Sequence, residues 1–317
     1  MELKMLGVNS AFATGQYIEE NGKYLYDPKW QSNFLLEFKN ARLKDSKGVV
    51  ILAKDILRFV LDVGGDARHS LKQFGLTPND IDVTYISHPH SDHIGGLECI
   101  FLSTLFNPFY SKAKEKELSE YGYDIFKYMN KHNHLPDDCK PIIMGQFEVL
   151  NSGWEASIPG GDTLQGVRHV SLVTYFHVIP MDAKDFYIEE YDDNNNITRR
   201  WLFYTVESTH VIGGTKHMPS FGLFFKEVHN DLFKLYFPTD TMFMMPPTMV
   251  SFYNDANYIY QDTETGFRSG VHSHIDDIRK ADPNIKKKLY LYHYNEPPVV
   301  DEDEFAGVLK RMDIHYY

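Results

Sequence analysis

The chain has 317 residues, 43% hydrophobic and 15% aromatic, with 21 Tyr and 22 Phe, enough for one large domain with insertions around a sizeable core or a subunit interface. With 32 Lys and Arg against 44 Asp and Glu the net charge is −12, which argues against a surface that grips long nucleic acid by its phosphates but leaves a small anionic substrate at bound cations compatible. Cys99 and Cys139 form no metal, redox or disulfide pattern, and Met1 to Ser10 lacks a basic segment followed by a long apolar one. No apolar run approaches the roughly 20 residues of a membrane span. A cytoplasmic protein is expected.

Leu3 to Ala13 alternates apolar and small residues and reads as a strand; after a polar loop, Asn33 to Phe38 reads as a second, so the chain opens on a hairpin. Val49 to Leu52 and Leu57 to Val63 read as the next two strands, the latter ending in Gly64-Gly65-Asp66. Asp62, at that strand end, is expected to brace a neighbouring loop. A short helix from His69 to Phe74 and a turn with a helix start signal at Leu76 to Ile81 precede the strand Asp82 to Ile86.

That strand runs into Ser87-His88-Pro89-His90-Ser91-Asp92-His93-Ile94-Gly95-Gly96. Four side chains able to ligate a metal fall within six residues, a density that packing does not explain. Imidazole and carboxylate suit zinc, manganese or iron. In extended backbone His88 and His90 would chelate one ion as an i, i+2 pair, and Asp92 and His93, one step further round the turn, a second. Gly95-Gly96 lets the backbone pass close beneath before a helix begins near Leu97.

Leu97 to Leu105 and the more charged Lys112 to Lys131 read as helices. Pro136 to Arg168, with five Gly and three Pro, is the least regular stretch and is expected to be an insertion forming a cap or dimer element beside the site. Phe186 to Ile188 and Trp201 to Val206 flank the turn Asp192 to Asn196 as a hairpin. Leu223 to Lys226 and Phe233 to Phe237 read as paired strands, the second leading to Asp240. Tyr258 to Tyr260 leads to Gln261-Asp262, and Leu289 to Tyr292 to His293, so three late strands end in a polar group of ligand type. Glu302 to Met312 reads as a final helix.

The pattern of apolar strand, His-x-His-x-Asp-His, Gly-Gly and helix resembles the signature of the metallo-β-lactamase-fold hydrolases. The resemblance implies an α/β chain folded as an αββα four-layer sandwich, a single domain over 1–317 with its insertion at about 136–168. It implies two divalent ions, zinc with manganese as the alternative, held by His88, His90, Asp92 and His93 together with a third histidine, a bridging aspartate and a last histidine downstream. Asp240 fits the bridging position and His293 the last one. The third histidine stays open between His210 and His217, His210 being preferred because it follows a strand.

Gly270-Val271-His272-Ser273-His274, after Gln261-Asp262, is similar to the acid–histidine pair with which phosphodiesterase members such as ribonuclease Z protonate the leaving oxygen. His274 is the first choice for that acid and His272 the second, with Asp262 orienting it and Asp92 serving at the centre. The stretch from His210 to Asp240 is too short for the tRNA-gripping arm of ribonuclease Z. The chain is therefore similar to the small-molecule phosphodiesterase branch, whose members include enzymes that degrade cyclic nucleotides for phages facing nucleotide-signalling defence. A small phosphodiester substrate and a homodimer are expected. An RNA nuclease, a lactonase or other acyl hydrolase, and a non-catalytic metal-binding sensor are the alternatives.

Overall fold

The computed structural model describes residues 1–106, 119–134, 140–157, 171–182, 185–213, 216–229, 233–244 and 246–317. Its centre is a 14-stranded mixed sheet that doubles over on itself. The strand Asn33–Asp45 makes the fold in the sheet. Its first residues pair antiparallel with Glu2–Gly7, while Ala41 to Asp45 pair with Phe186–Tyr191 of the second half, and Val50–Leu61 runs along its other side. The change of neighbour falls at Asn40, in left-handed backbone (φ 42°), which Asn tolerates better than most residues. Its amide donates to the Tyr191 carbonyl across the junction.

Aromatic rings fill the space between the two halves. Phe59 meets Phe203 and Phe225 edge-on, each at 5.9 Å; Phe34 meets Phe237, Tyr260 and Tyr292; Phe38 meets Trp201. Such rings bring both buried area and quadrupole geometry. A second core packs Leu97–Phe106, Ile125–His132 and Phe147–Ser157 on one outer face. A third packs Met249–Asp255, Ile275–Ile278 and Pro283–Lys286 on the other. The layers are thus helix, sheet, sheet, helix, the αββα order. Among the described residues no helix is long and apolar enough to cross a membrane.

Several elements differ from their sequence reading. Val50–Leu61 is one strand, because the exposed Lys54 to Ile56, which interrupt the apolar pattern with Lys54 and Asp55, still pair with Lys39 to Ala41. The opening polar loop contains a hairpin, Gln16–Glu20 and Lys23–Asp27, turned by Asn21 and Gly22 with φ of 52° and 73°. The stretch read as irregular contributes the buried sheet strand Ile142–Gly145 and the helix Phe147–Ser157; 135–139 and 158–170 lie outside the described residues. Of the helix read from Lys112 to Lys131, 112–118 lie outside the described residues, as does Cys139; within them Gly122 and Tyr123, with φ of 65° and 59°, interrupt it before the helix Ile125–His132. In place of a final helix there are turns and a short strand, Gly307–Val308, which gains sheet hydrogen bonds beside Tyr290 and Leu291.

Candidate metal centre

The sandwich brings the ends of its strands to one edge, where the candidate ligands meet. Val83–Tyr85 delivers His88 and His90, and the single turn Ser91–Ile94 delivers Asp92 and His93. Ile197–Glu207 leads to His210, Lys234–Thr239 to Asp240, and Leu289–Tyr292 to His293. Two of these paths end in left-handed backbone, at Thr239 and His293 with φ of 58° and 62°, as does the strand that reaches Asp62 (φ 59°); such backbone is costly for residues with a side chain and is sustained by the packing around them. The loop under the histidines is tight as well. A Cβ on Gly96 would lie 2.4 Å from the Gly64 carbonyl oxygen, and one on Gly64 2.4 Å from that of Asp92. The glycines therefore permit contact between two loops below the site.

Three ligand groupings form among the described residues. His88, His90 and His210 make one; Asp92, His93, Asp240 and His293 make a second; His210, Asp240 and His272 make a third that overlaps both. Asp240 Oδ2 stands between the first two, 3.1 Å from His93 Nε2, 3.3 Å from His293 Nε2, and 3.8 Å from His88 Nε2, His210 Nε2 and His272 Nδ1. His217, on the short exposed strand Lys216–His217, belongs to none of the three.

The residues fit cations by three tests. His88 Nε2 and Asp240 Oδ1 are buried with no hydrogen-bond partner, an expensive condition unless something else satisfies them. In four histidines Nδ1 is occupied by the surroundings while Nε2 faces the centre. His88 Nδ1 meets Ser87 Oγ (3.0 Å), His93 Nδ1 meets Asp62 Oδ2 (2.8 Å), His210 Nδ1 donates to the Val271 carbonyl (2.7 Å), and His293 Nδ1 meets Ser32 Oγ (3.1 Å). This outer fixation of the ring is what metal-binding imidazoles require. Protonation states agree for most of the set. Burial pushes the His88 imidazole well below its usual value and His210 and His293 to about 4, keeping them neutral. Burial raises the carboxyls of Asp92 and Asp240, but neighbouring histidines outweigh it; Asp92 falls to about 2 and Asp240 well below its usual range. Burial also disfavours charge on His93, but Asp240, Asp92 and Asp62 overcome it and raise that imidazole; bound cations would reverse this pull.

Asp62 braces the motif as expected. Its Oδ1 accepts from the Ser87 amide (2.8 Å) and its Oδ2 from the Ser87 hydroxyl (2.7 Å) and His93. Thr239 in turn donates to Ser87 Oγ (2.8 Å). Ser32, Ser87 and Thr239 were not anticipated. Ser87 adjoins His88 in the motif and was open to inference; Ser32 lies in a segment without pattern.

The two late histidines stand in different surroundings. His274 caps the helix Ile275–Ile278, its Nδ1 accepting from the Asp276 amide, and its Nε2 turns to the Gly266 carbonyl. His272 reaches the centre, with Nδ1 3.1 Å from Asp262 Oδ2. Asp262 is fully buried and fixed by Gln261 Nε2 (2.7 Å) and the Thr241 amide (3.3 Å). Burial lifts its carboxyl to about 6 against the opposing effect of His272. Burial works against a charged His272, but Asp262 and Asp240 raise it to about 9. A cavity of about 500 Å³ opens over His90, Asp92, His210, Asp240, His272 and His293.

A family model described as Anti-Pycsar protein Apyc1 matches residues 1–116 and 121–315. The chain belongs to the Apyc1 family. An Anti-Pycsar protein Apyc1 of Bacillus phage 010DV004 is 23% identical over 299 residues, covering 93% of this chain and 90% of the relative. One of Saccharibacillus brassicae is 20% identical, covering 99% and 96%. Among solved structures, the short form of human tRNase Z aligns with a TM-score of 0.55 at 13% identity, covering 100% of this chain and 99% of that one. A diphosphatase of the PhnP family aligns at 0.54 and 12%, covering 100% and 97%. The metallo-β-lactamase-fold protein YhfI of Bacillus subtilis aligns at 0.52 and 12%, covering 99% and 98%. The Apyc1 family chain thus has the metallo-β-lactamase fold, as its motif implied.

Proposed function

We propose that the chain is a dinuclear metal-dependent phosphodiesterase acting on a small phosphodiester, with a cyclic nucleotide as the favoured substrate. The observation that carries this reading is the placing of a histidine–aspartate pair, His272 and Asp262, beside two ligand groups with Asp240 between them, where His90, Asp92, His210, Asp240, His272 and His293 line one cavity. Acyl and lactone hydrolysis has less need of a separate proton donor, whereas a sugar alkoxide leaves poorly without one.

His88, His90 and His210 would hold one cation, Asp92, His93 and His293 the other, and Asp240 both; the donors suit zinc, then manganese. The cations would supply Lewis-acid charge at the phosphoryl oxygens and activate water. The chain does the rest. Asp92 lines the cavity and is the group to orient the attacking water. As the phosphorus–oxygen bond to the departing sugar breaks, His272 gives its Nε2 proton to that oxygen, while Asp262 fixes the ring through Nδ1 and steadies the charge. The cavity is within the size range of small-molecule sites.

The relatives' name, Anti-Pycsar protein, and the occurrence of one of them in Bacillus phage 010DV004 support a counter-defence role in which the cyclic nucleotide is the signal removed. A cytoplasmic homodimer belongs to the same proposal. Tyr17, Tyr24 and Tyr26, exposed on a hairpin that pairs with no other strand among the described residues, support the dimer, and light scattering at micromolar concentration tests it. The test of function is turnover by metal-loaded protein of 3′,5′-cyclic nucleotides, bis-p-nitrophenyl phosphate, a lactone and a precursor tRNA. Cleavage of both diesters is expected; turnover of the lactone or the tRNA alone would replace the reading.

A further inference from the structure

Phe12 and Phe267 are 88% and 84% exposed, and neither belongs to any of the three cores. Scattered exposed apolar residues are ordinary, but these two line the same cavity, the one over the ligand groups. They come from distant parts of the sequence and are tied to one strut, the segment 294–296. On one side the Ser10 amide donates to the Tyr294 carbonyl (3.3 Å); on the other the Thr265 hydroxyl donates to the Glu296 carbonyl (3.0 Å). The loop bearing Phe267 also supplies the Val271 carbonyl that fixes His210, and His272 itself. The two segments that carry these solvent-facing rings are therefore anchored at the rim of the cavity over the ligand groups.

We propose that Phe12 and Phe267 are specificity-determining residues that take the planar base of the substrate against their ring faces while its phosphodiester lies over Asp240. The inference rests on the cyclic-nucleotide reading above. Every base has a flat π face, so such contacts select nucleotides over base-free diesters while discriminating little among bases by their edges.

The test uses metal-loaded protein carrying Phe12→Ala, Phe12→Leu, Phe12→Tyr and the same changes at Phe267. Rates are measured on a 3′,5′-cyclic nucleotide and on trimethylene phosphate, a six-membered cyclic diester lacking sugar and base. Binding of the nucleoside 5′-monophosphate is measured by calorimetry. Each Ala variant is expected to raise KM and weaken monophosphate binding by roughly 10–100-fold. Its kcat/KM on trimethylene phosphate and its Tm should stay at wild-type values. Tyr should restore binding and Leu, equal in apolar bulk but without a ring face, should not. Retained binding in the Ala variants, full rescue by Leu, or equal loss on both diesters overturns the proposal. So does a change in self-association without a change in binding, which would assign the rings to a contact between copies. If wild-type protein hydrolyses neither diester, the phosphodiesterase reading fails. Monophosphate binding still decides the role of the two rings, and absence of binding to wild type counts against it.

Discussion

Replacing His272 separates proton donation from metal binding. In His272→Ala the buried Asp262 loses one partner but keeps the Gln261 amide and the Thr241 N–H, so about 1–3 kcal/mol of stability should be lost and the fold retained. The catalytic cost should be larger. Positioned proton transfer contributes about 10²–10⁴-fold, some 3–5 kcal/mol of barrier. That loss should fall on a cyclic nucleotide, whose leaving oxygen is a sugar alkoxide. Bis-p-nitrophenyl phosphate, whose leaving group needs no proton, should lose less than about tenfold. His274→Ala is the comparison. It removes a helix cap worth about 0.5–2 kcal/mol and should lower Tm while leaving kcat on both diesters unchanged. The assay is steady-state kinetics on both substrates with metal content measured for each variant. Equal losses on the two diesters in His272→Ala, or a greater loss in His274→Ala, would refute the assignment of the proton donor.

Asp240→Ala should lose both turnover and bound metal, since its carboxylate stands between the two ligand groups; elemental analysis showing wild-type metal content would exclude a shared role. Gly96→Ala forces a Cβ against a carbonyl oxygen and should lower stability by about 1–3 kcal/mol with loosened metal binding, visible as a lower Tm; an unchanged Tm would mean that the loops separate freely. Burial raises the Glu37 carboxyl, but hydrogen bonds from Lys4 and Arg58 and their charges outweigh it and hold it below its usual value. A depressed folded value contributes stability that is present above the unfolded carboxylate value, about pH 4.3, and is lost as pH falls through the folded one. Urea midpoints should therefore fall less steeply with acid in Glu37→Gln than in wild type, and parallel slopes would contradict this.

The metal motif was legible because its chemistry is local: His88, His90, Asp92 and His93 lie together, and a strand followed by one helical turn suffices to aim them. Asp240 and His293 were legible because each follows an apolar strand to the same edge. The order of His272 and His274 was not, since it depends on the left-handed turn at Gly270 (φ 81°) and on His274 capping a four-residue helix. Asn21-Gly22 is a hairpin-turn dipeptide, but the segment reads as a polar loop because the hairpin stands off the main sheet, where no alternation marks a buried face. The strand Ile142–Gly145 was hidden by its Gly- and Pro-rich flanks, and Gly307–Val308 by charged neighbours that suit a helix equally well.

The most direct test of the central claim is a titration of metal-free protein with zinc, and separately with manganese, following hydrolysis of a 3′,5′-cyclic nucleotide to the monophosphate at each equivalent bound. Two ligand groups with Asp240 between them predict little turnover at one equivalent and full turnover at two. Full turnover at one equivalent, or none at any loading, would contradict the account.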